Sequence, residues 1–141
     1  MLEELIVLSD RVRVLTHGGM TEGRYEVFEV LGAAGGGAPL HSHAWDEEFH
    51  VVQGEVDVVF ADRVQRCKAG DSLRVAAGTV HGFKVGAEGA KFLAFTSPQG
   101  ASELFRALDR ERRVAPLTPE KVVQIAAACG VKVPAAAPAQ V

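Results

Sequence analysis

Residues 1 to about 96 are a series of short apolar runs broken by glycine, and this series constrains the fold more than any other feature of the chain. In "RYEVFEVLG", Glu26, Phe28 and Val30 alternate with Tyr25, Val27 and Glu29, so each set lies on one face of a strand. "EEFHVVQGEVDVVF" reads as two β-rich runs joined by a hairpin at Gln53-Gly54. "DSLRVAAG" sets Leu73 and Val75 against Ser72 and Arg74, and "HGFKV" and "AKFLAFTS" follow at similar spacing. Many short strands with regular turn signals predict an all-β sandwich or barrel. "GAAGGGAP", residues 32–39, is too glycine-rich for a strand and is expected to form a mobile rim loop.

From Pro98 the period changes. Leu104, Phe105 and Leu108 recur at helical spacing, and arginines gather toward the end of that segment, where the helix dipole favours them. A second helix is announced by Thr118 as N-cap, Pro119 at its first position and Glu120 in its first turn. Its apolar face is Val122, Ile125, Ala126 and Cys129, and Gly130 closes it. The helices are expected to cap the β-fold or to meet a partner subunit. One domain accounts for the length: a barrel with the first helix over residues 1–114, then the second helix and a disordered "PAAAPAQV" tail over 115–141.

Composition narrows the partners. With 15 basic and 18 acidic residues the charge is too balanced to suggest nucleic acid or an anionic membrane. No apolar stretch approaches the roughly 18 residues that span a bilayer. "MLEELIVLSD" is acidic and too short in its apolar run for a secretory leader, so a cytoplasmic location is expected. Cys67 and Cys129 lack a CxxC pattern and are expected as reduced, partly buried thiols.

The chemistry lies in "LHSHAWDEEFHVVQGE". His41 and His43 point the same way if that segment is extended. Glu47, Phe49 and Val51 share a face of the next strand, and parity does not decide whether that face meets the histidines, because the chain bends at residues 44–46. His81 follows about forty residues later, in phase with Phe83 and Val85. Neutral imidazoles and one carboxylate converging from neighbouring strands are the parts of a metal site. Asp46 and Glu48 are read as solvated acids.

These spacings are recognisable. "GGGAPLHSHAWDEEFHVVQG" resembles the first cupin motif, G-x5-H-x-H-x3–4-E-x6-G, with Gly35, His41, His43, Glu47 and Gly54 in place. "GDSLRVAAGTVHGFKV" resembles the second, G-x5-P-x-G-x2-H-x3-N, with Gly70, Gly78 and His81 in place, but with Ala76 for proline and Val85 for asparagine. The chain is similar to the small single-domain cupins grouped with quercetin dioxygenases. That resemblance implies a cupin double-stranded β-helix, a jelly-roll barrel with C-terminal α-helices, often dimeric. It implies one divalent transition metal (Fe, Mn, Ni, Zn, Cu or Co) on His41, His43, Glu47 and His81. Glu48 could replace Glu47 only after a one-residue register shift, against the spacing to Gly54.

The function expected from this resemblance is dioxygenase-like action on a small oxygen-coordinating substrate such as an enol, diketone or flavonol-like molecule. Glu47 would double as general base. Phe49, Val51, Phe83 and Val85 are expected to line a dry pocket for the ligand. A non-catalytic binding or sensor protein and a metal-dependent isomerase are the competing readings. The expected partners are a small molecule and a second copy of the chain.

Overall fold

The phases read from the sequence are the ones that become interior. In the computed structural model, which describes residues 2–134, Glu26, Phe28 and Val30 are all buried. Eight strands form: β1 (Glu3–Val7), β2 (Asp10–Thr16), β3 (Glu26–Gly32), β4 (Gly37–His41), β5 (Asp46–Phe60), β6 (Val64–Lys68), β7 (Ser72–Val75) and β8 (His81–Ser97). Two helices follow, α1 (Ala101–Val114) and α2 (Pro119–Ala128). No helix among the described residues is long and apolar enough to cross a membrane.

The long strands β5 and β8 each serve two layers. Residues 46–54 of β5 pair antiparallel with 90–97 of β8, and this half is flanked by β7 and by β3, β2 and β1. Residues 56–60 of β5 pair with 81–85 of β8, flanked by β6 and β4. The two layers close on each other as a jelly-roll barrel, and their inward apolar side chains form one continuous core.

Three expectations change here. The hairpin expected at Gln53-Gly54 does not form; β5 runs through it. Gly54 alone takes a positive φ, 79°, where a type I′ turn needs two such residues. It makes a bulge at which β5 bends across β8, and a Cβ there would collide with the carbonyl oxygen of Gly89. The same bend merges "HGFKV" and "AKFLAFTS" into one strand. The segment 32–39 is not a loop throughout, because Gly32 ends β3 and Gly37 begins β4. Gly37 is there for close approach: a Cβ would collide with the Phe83 carbonyl.

The helices cap the barrel. Leu104, Phe105 and Leu108 of α1 turn toward the β-core, with the Phe105 ring edge-on to Phe28 at 5.0 Å. The start of α1 is held by the fully buried carboxylate of Glu26, which accepts hydrogen bonds from the backbone N–H groups of Gly18, Gly100 and Ser102 and from the Ser102 hydroxyl. α2 begins as expected, with Thr118 Oγ1 accepting from the Lys121 N–H at 3.2 Å. The chain beyond α2 returns to the barrel: Ser42 and Lys132 exchange two backbone hydrogen bonds, at 2.9 and 3.0 Å. Cys67 is buried, Cys129 is partly so, and both are free thiols. Apart from Pro134, the expected disordered tail lies outside the described residues.

Candidate metal centre

Topology brings together histidines forty residues apart. His41 ends β4 and His81 begins β8, and the two are direct cross-strand partners. His43 lies two residues further on, with Ser42 between them pinned to Lys132. Glu47 is the second residue of β5, where the strand turns into the barrel. One ring nitrogen from each of His41, His43 and His81 lies within 4.8 Å of the others. The Nε2 atoms of His43 and His81 are 3.2 and 3.1 Å from Glu47 Oε1.

Each ring is held by its other nitrogen. His41 Nδ1 lies 2.7 Å from the Pro39 carbonyl, His43 Nδ1 3.0 Å from that of Trp45 and His81 Nδ1 2.8 Å from that of Thr79. A carbonyl can only accept, so Nδ1 carries the proton in all three and the Nε2 lone pair is left for a cation. His43 also stacks on Trp45, with ring centroids 4.4 Å apart and 8° between planes. Trp45 in turn rests against Gly100, where a Cβ would lie 2.6 Å from its ring.

Two imidazole lone pairs and a carboxylate oxygen at 3.1–3.2 Å repel unless a proton or a cation lies among them. When protons fill that role, burial alone would raise the Glu47 carboxyl, but the hydrogen bonds it then accepts from His43 and His81 outweigh burial and bring its pKa down to about 2. Burial, with the neighbouring His81 charge, lowers His41 to about 4. His81 moves up, because its bond to Glu47 outweighs the burial that would lower it. A set of three imidazole nitrogens and one carboxylate oxygen, already oriented and competing for positive charge, fits a divalent transition metal.

The cluster faces a cavity of about 110 Å³. His41, His43 and Glu47 line one end, and Phe49, Phe83 and Phe92 form walls. Leu104, Phe105 and Leu108 of α1 with Val122 and Ala126 of α2 close it. Two of the four residues expected in the pocket, Phe49 and Phe83, line it. Val51 and Val85 are a correction: both are fully or almost fully buried, but neither borders the cavity. Both keep the phase of their strands, but Val51 packs into the apolar core and Val85 packs toward Gly32. Glu48 is exposed, His50 bonds outward to Ser72 Oγ, and Asp46 accepts from the Ala77 N–H. Sequence reading passed over Trp45 and Asp10, both of which line the cavity. The signal for Asp10 was present, since in "DRVRV" it shares the inward phase of Val12 and Val14.

Residues 28–96 match a family model described as the cupin domain. No curated protein sequence matches the chain. Among solved structures, the polyketide cyclase RemF from Streptomyces resistomycificus superposes with TM-score 0.61 at 23% identity, over 69% of this chain and 73% of that one. An RmlC-like cupin from Shewanella frigidimarina gives 0.59 at 21% identity, over 70% and 85%. A point mutant of Bacillus subtilis oxalate decarboxylase gives 0.62 at 19% identity, over 70% of this chain and 28% of that one. Likeness at these identities is a likeness of fold.

Proposed function

We propose that the barrel, whose residues 28–96 match a cupin-domain model and whose interior gathers three imidazoles and a carboxylate, holds one divalent transition metal on His41, His43, Glu47 and His81. On that metal it acts, in a dioxygenase-like reaction, on a small organic substrate that coordinates through oxygen. The observation that carries this reading is the tautomer lock: three Nδ1–H groups spent on main-chain carbonyls leave three Nε2 lone pairs converging beside a carboxylate. Bound there, a metal supplies Lewis acidity and, for a redox-active ion, a route for electrons to dioxygen.

The chain's own residues do the rest. The carbonyl bonds fix the imidazole rings before any ligand arrives, so little reorganisation is needed. Glu47 is ionised at neutral pH and balances cationic charge. It is also the carboxylate placed to take a substrate proton, and a carboxyl held this low is a weak base. Phe49, Phe83 and Phe92 exclude water from the reacting end. A cavity of about 110 Å³ suits a molecule on the order of ten non-hydrogen atoms, which favours an enol, a short diketone or a one-ring catechol over a full flavonol.

The test is metal analysis of protein purified without added metal, followed by oxygen-electrode assays with acetylacetone, 4-methylcatechol and a flavonol. About one metal per chain is expected, lost in His41→Ala and His81→Ala, with oxygen uptake on one of the smaller substrates. A stoichiometry far below one that neither substitution changes would overturn the metal site. Turnover without oxygen uptake would assign isomerase or hydrolytic chemistry, and tight binding without turnover a sensor.

A further inference from the structure

Among the described residues that line the cavity, Asp10 is the one ionisable group outside the histidine–glutamate cluster. It opens β2 on the inward phase and is only 4% exposed. The backbone N–H of Ala33 bonds its carboxyl, but Oδ1 has no hydrogen-bond partner among the described residues. Its neighbours along the cavity wall, Val7, Leu8, Val12 and Val30, are apolar and offer none. A buried carboxyl oxygen without a partner is costly, so natural interiors rarely keep one. Burial pushes the pKa of Asp10 up to about 6, against the Ala33 bond. At neutral pH the group is mostly ionised and still has an acceptor to offer.

Position gives it a use. Gly32 fixes where it lies: a Cβ there would sit 3.6 Å from Asp10 Oδ1 and would collide with Val85 Cγ2 at 2.6 Å, so Asp10 and Val85 are close neighbours. Val85 is four residues along β8 from His81, about 13 Å at the usual strand rise. The cavity therefore has two polar poles, the histidine cluster and Asp10, with phenylalanine walls between them. A one-ring molecule with polar groups at both ends bridges a gap of that order.

We propose that Asp10 is the second anchor of the ligand: it accepts a hydrogen bond from a hydroxyl at the end of the substrate opposite the oxygens gathered at the histidine cluster. The inference rests on the cavity being a site for an oxygen-coordinating ligand, and it narrows that class to small chelating molecules with a further, distal hydroxyl.

The test compares 4-methylcatechol with 4-(hydroxymethyl)catechol by isothermal titration into the full chain loaded with Zn(II), a redox-inert ion. Wild type is expected to bind the hydroxymethyl probe at least about tenfold more tightly, as for a hydrogen bond to a charged acceptor. Asp10→Leu removes that preference, whereas Asp10→Asn, which keeps an amide oxygen, retains part of it. Equal binding of the two probes by wild type overturns the role of Asp10 and leaves the oxygen-ligand reading standing. Failure of 4-methylcatechol to bind overturns that reading itself. Without ligand, Asp10→Leu is expected to raise Tm by about 2–4 °C, because an unsatisfied buried carboxyl is gone. A fall of several degrees in both Asp10→Leu and Asp10→Asn would make the carboxyl a structural tether for Ala33 and overturn the proposal.

Discussion

Glu26→Gln tests how the barrel holds its cap. In the native protein Oε1 accepts from the N–H groups of Gly100 and Ser102 at 3.2 and 3.1 Å, and Oε2 from the Gly18 N–H at 2.9 Å and the Ser102 hydroxyl at 2.6 Å. Glutamine keeps one oxygen and turns the other into a donor. If the amide oxygen stays on Gly100 and Ser102, the hydroxyl of Ser102 can rotate to accept, but the Gly18 N–H is stranded. One buried orphan costs about 1–3 kcal/mol, and the remaining bonds lose their charge assistance, so a total of about 2–4 kcal/mol is expected. At an m-value of about 2 kcal/mol/M, the urea midpoint at pH 7 should fall by about 1–2 M.

The pH dependence carries a sign. Burial pushes Glu26 up, but the four hydrogen bonds hold its folded pKa below the ordinary 4.5. Its ionisation therefore contributes in full above pH 4.5, and the contribution is lost as pH falls through the folded value. The gap between wild type and Glu26→Gln should narrow on acidification from about pH 6 toward about 3, since a protonated glutamate and a glutamine are alike. A gap below about 0.5 kcal/mol at pH 7 (on the order of the error of such differences), or one that does not change with pH, would refute the reasoning.

Two further outcomes follow from the packing. Gly54→Ala should cost more than about 2 kcal/mol, combining a left-handed φ of 79° with a collision against the Gly89 carbonyl. Gly70→Ala, at φ 94° but with open space around it, should cost about 1 kcal/mol, and equal costs in denaturant unfolding would contradict the close-approach argument. Phe49→Ala should destabilise by about 3–5 kcal/mol, because its ring packs against Phe83 and Phe92 at centroid distances of 6.0 and 5.7 Å. Metal content measured on the same preparation should match wild type, since the ligand rings are held by their Nδ1 bonds to main-chain carbonyls and not by the edge-on contact of Phe49 with His81 at 6.5 Å.

Much of the fold was legible because alternation and capping are local. The inward set of Glu26, Phe28 and Val30, the Thr118 cap and the Gly130 stop need only a few consecutive residues to be read. The bend at Gly54 was not legible: Gln-Gly reads alike as a hairpin or a bulge, and only the opposing Gly89 selects the bulge. Val51 and Val85 were misassigned for another reason: both face inward as alternation says, but alternation cannot tell an inward position that borders a cavity from one filled by its neighbours.

The site divides in the same way. Alternation paired His41 with His43 and put Glu47 in phase with Phe49, but it was the likeness to the two cupin motifs that joined His41, His43, Glu47 and His81 into one set. Only the tertiary structure set His41 opposite His81, spent their Nδ1 protons on main-chain carbonyls and brought Glu47 Oε1 within 3.1–3.2 Å of two imidazoles. It also decided that α1 and α2 close the cavity and that Asp10 faces into it. Sequence determines what each residue offers and which way it faces its own strand. Distances between groups on different strands belong to strand pairing and burial, which no local pattern contains.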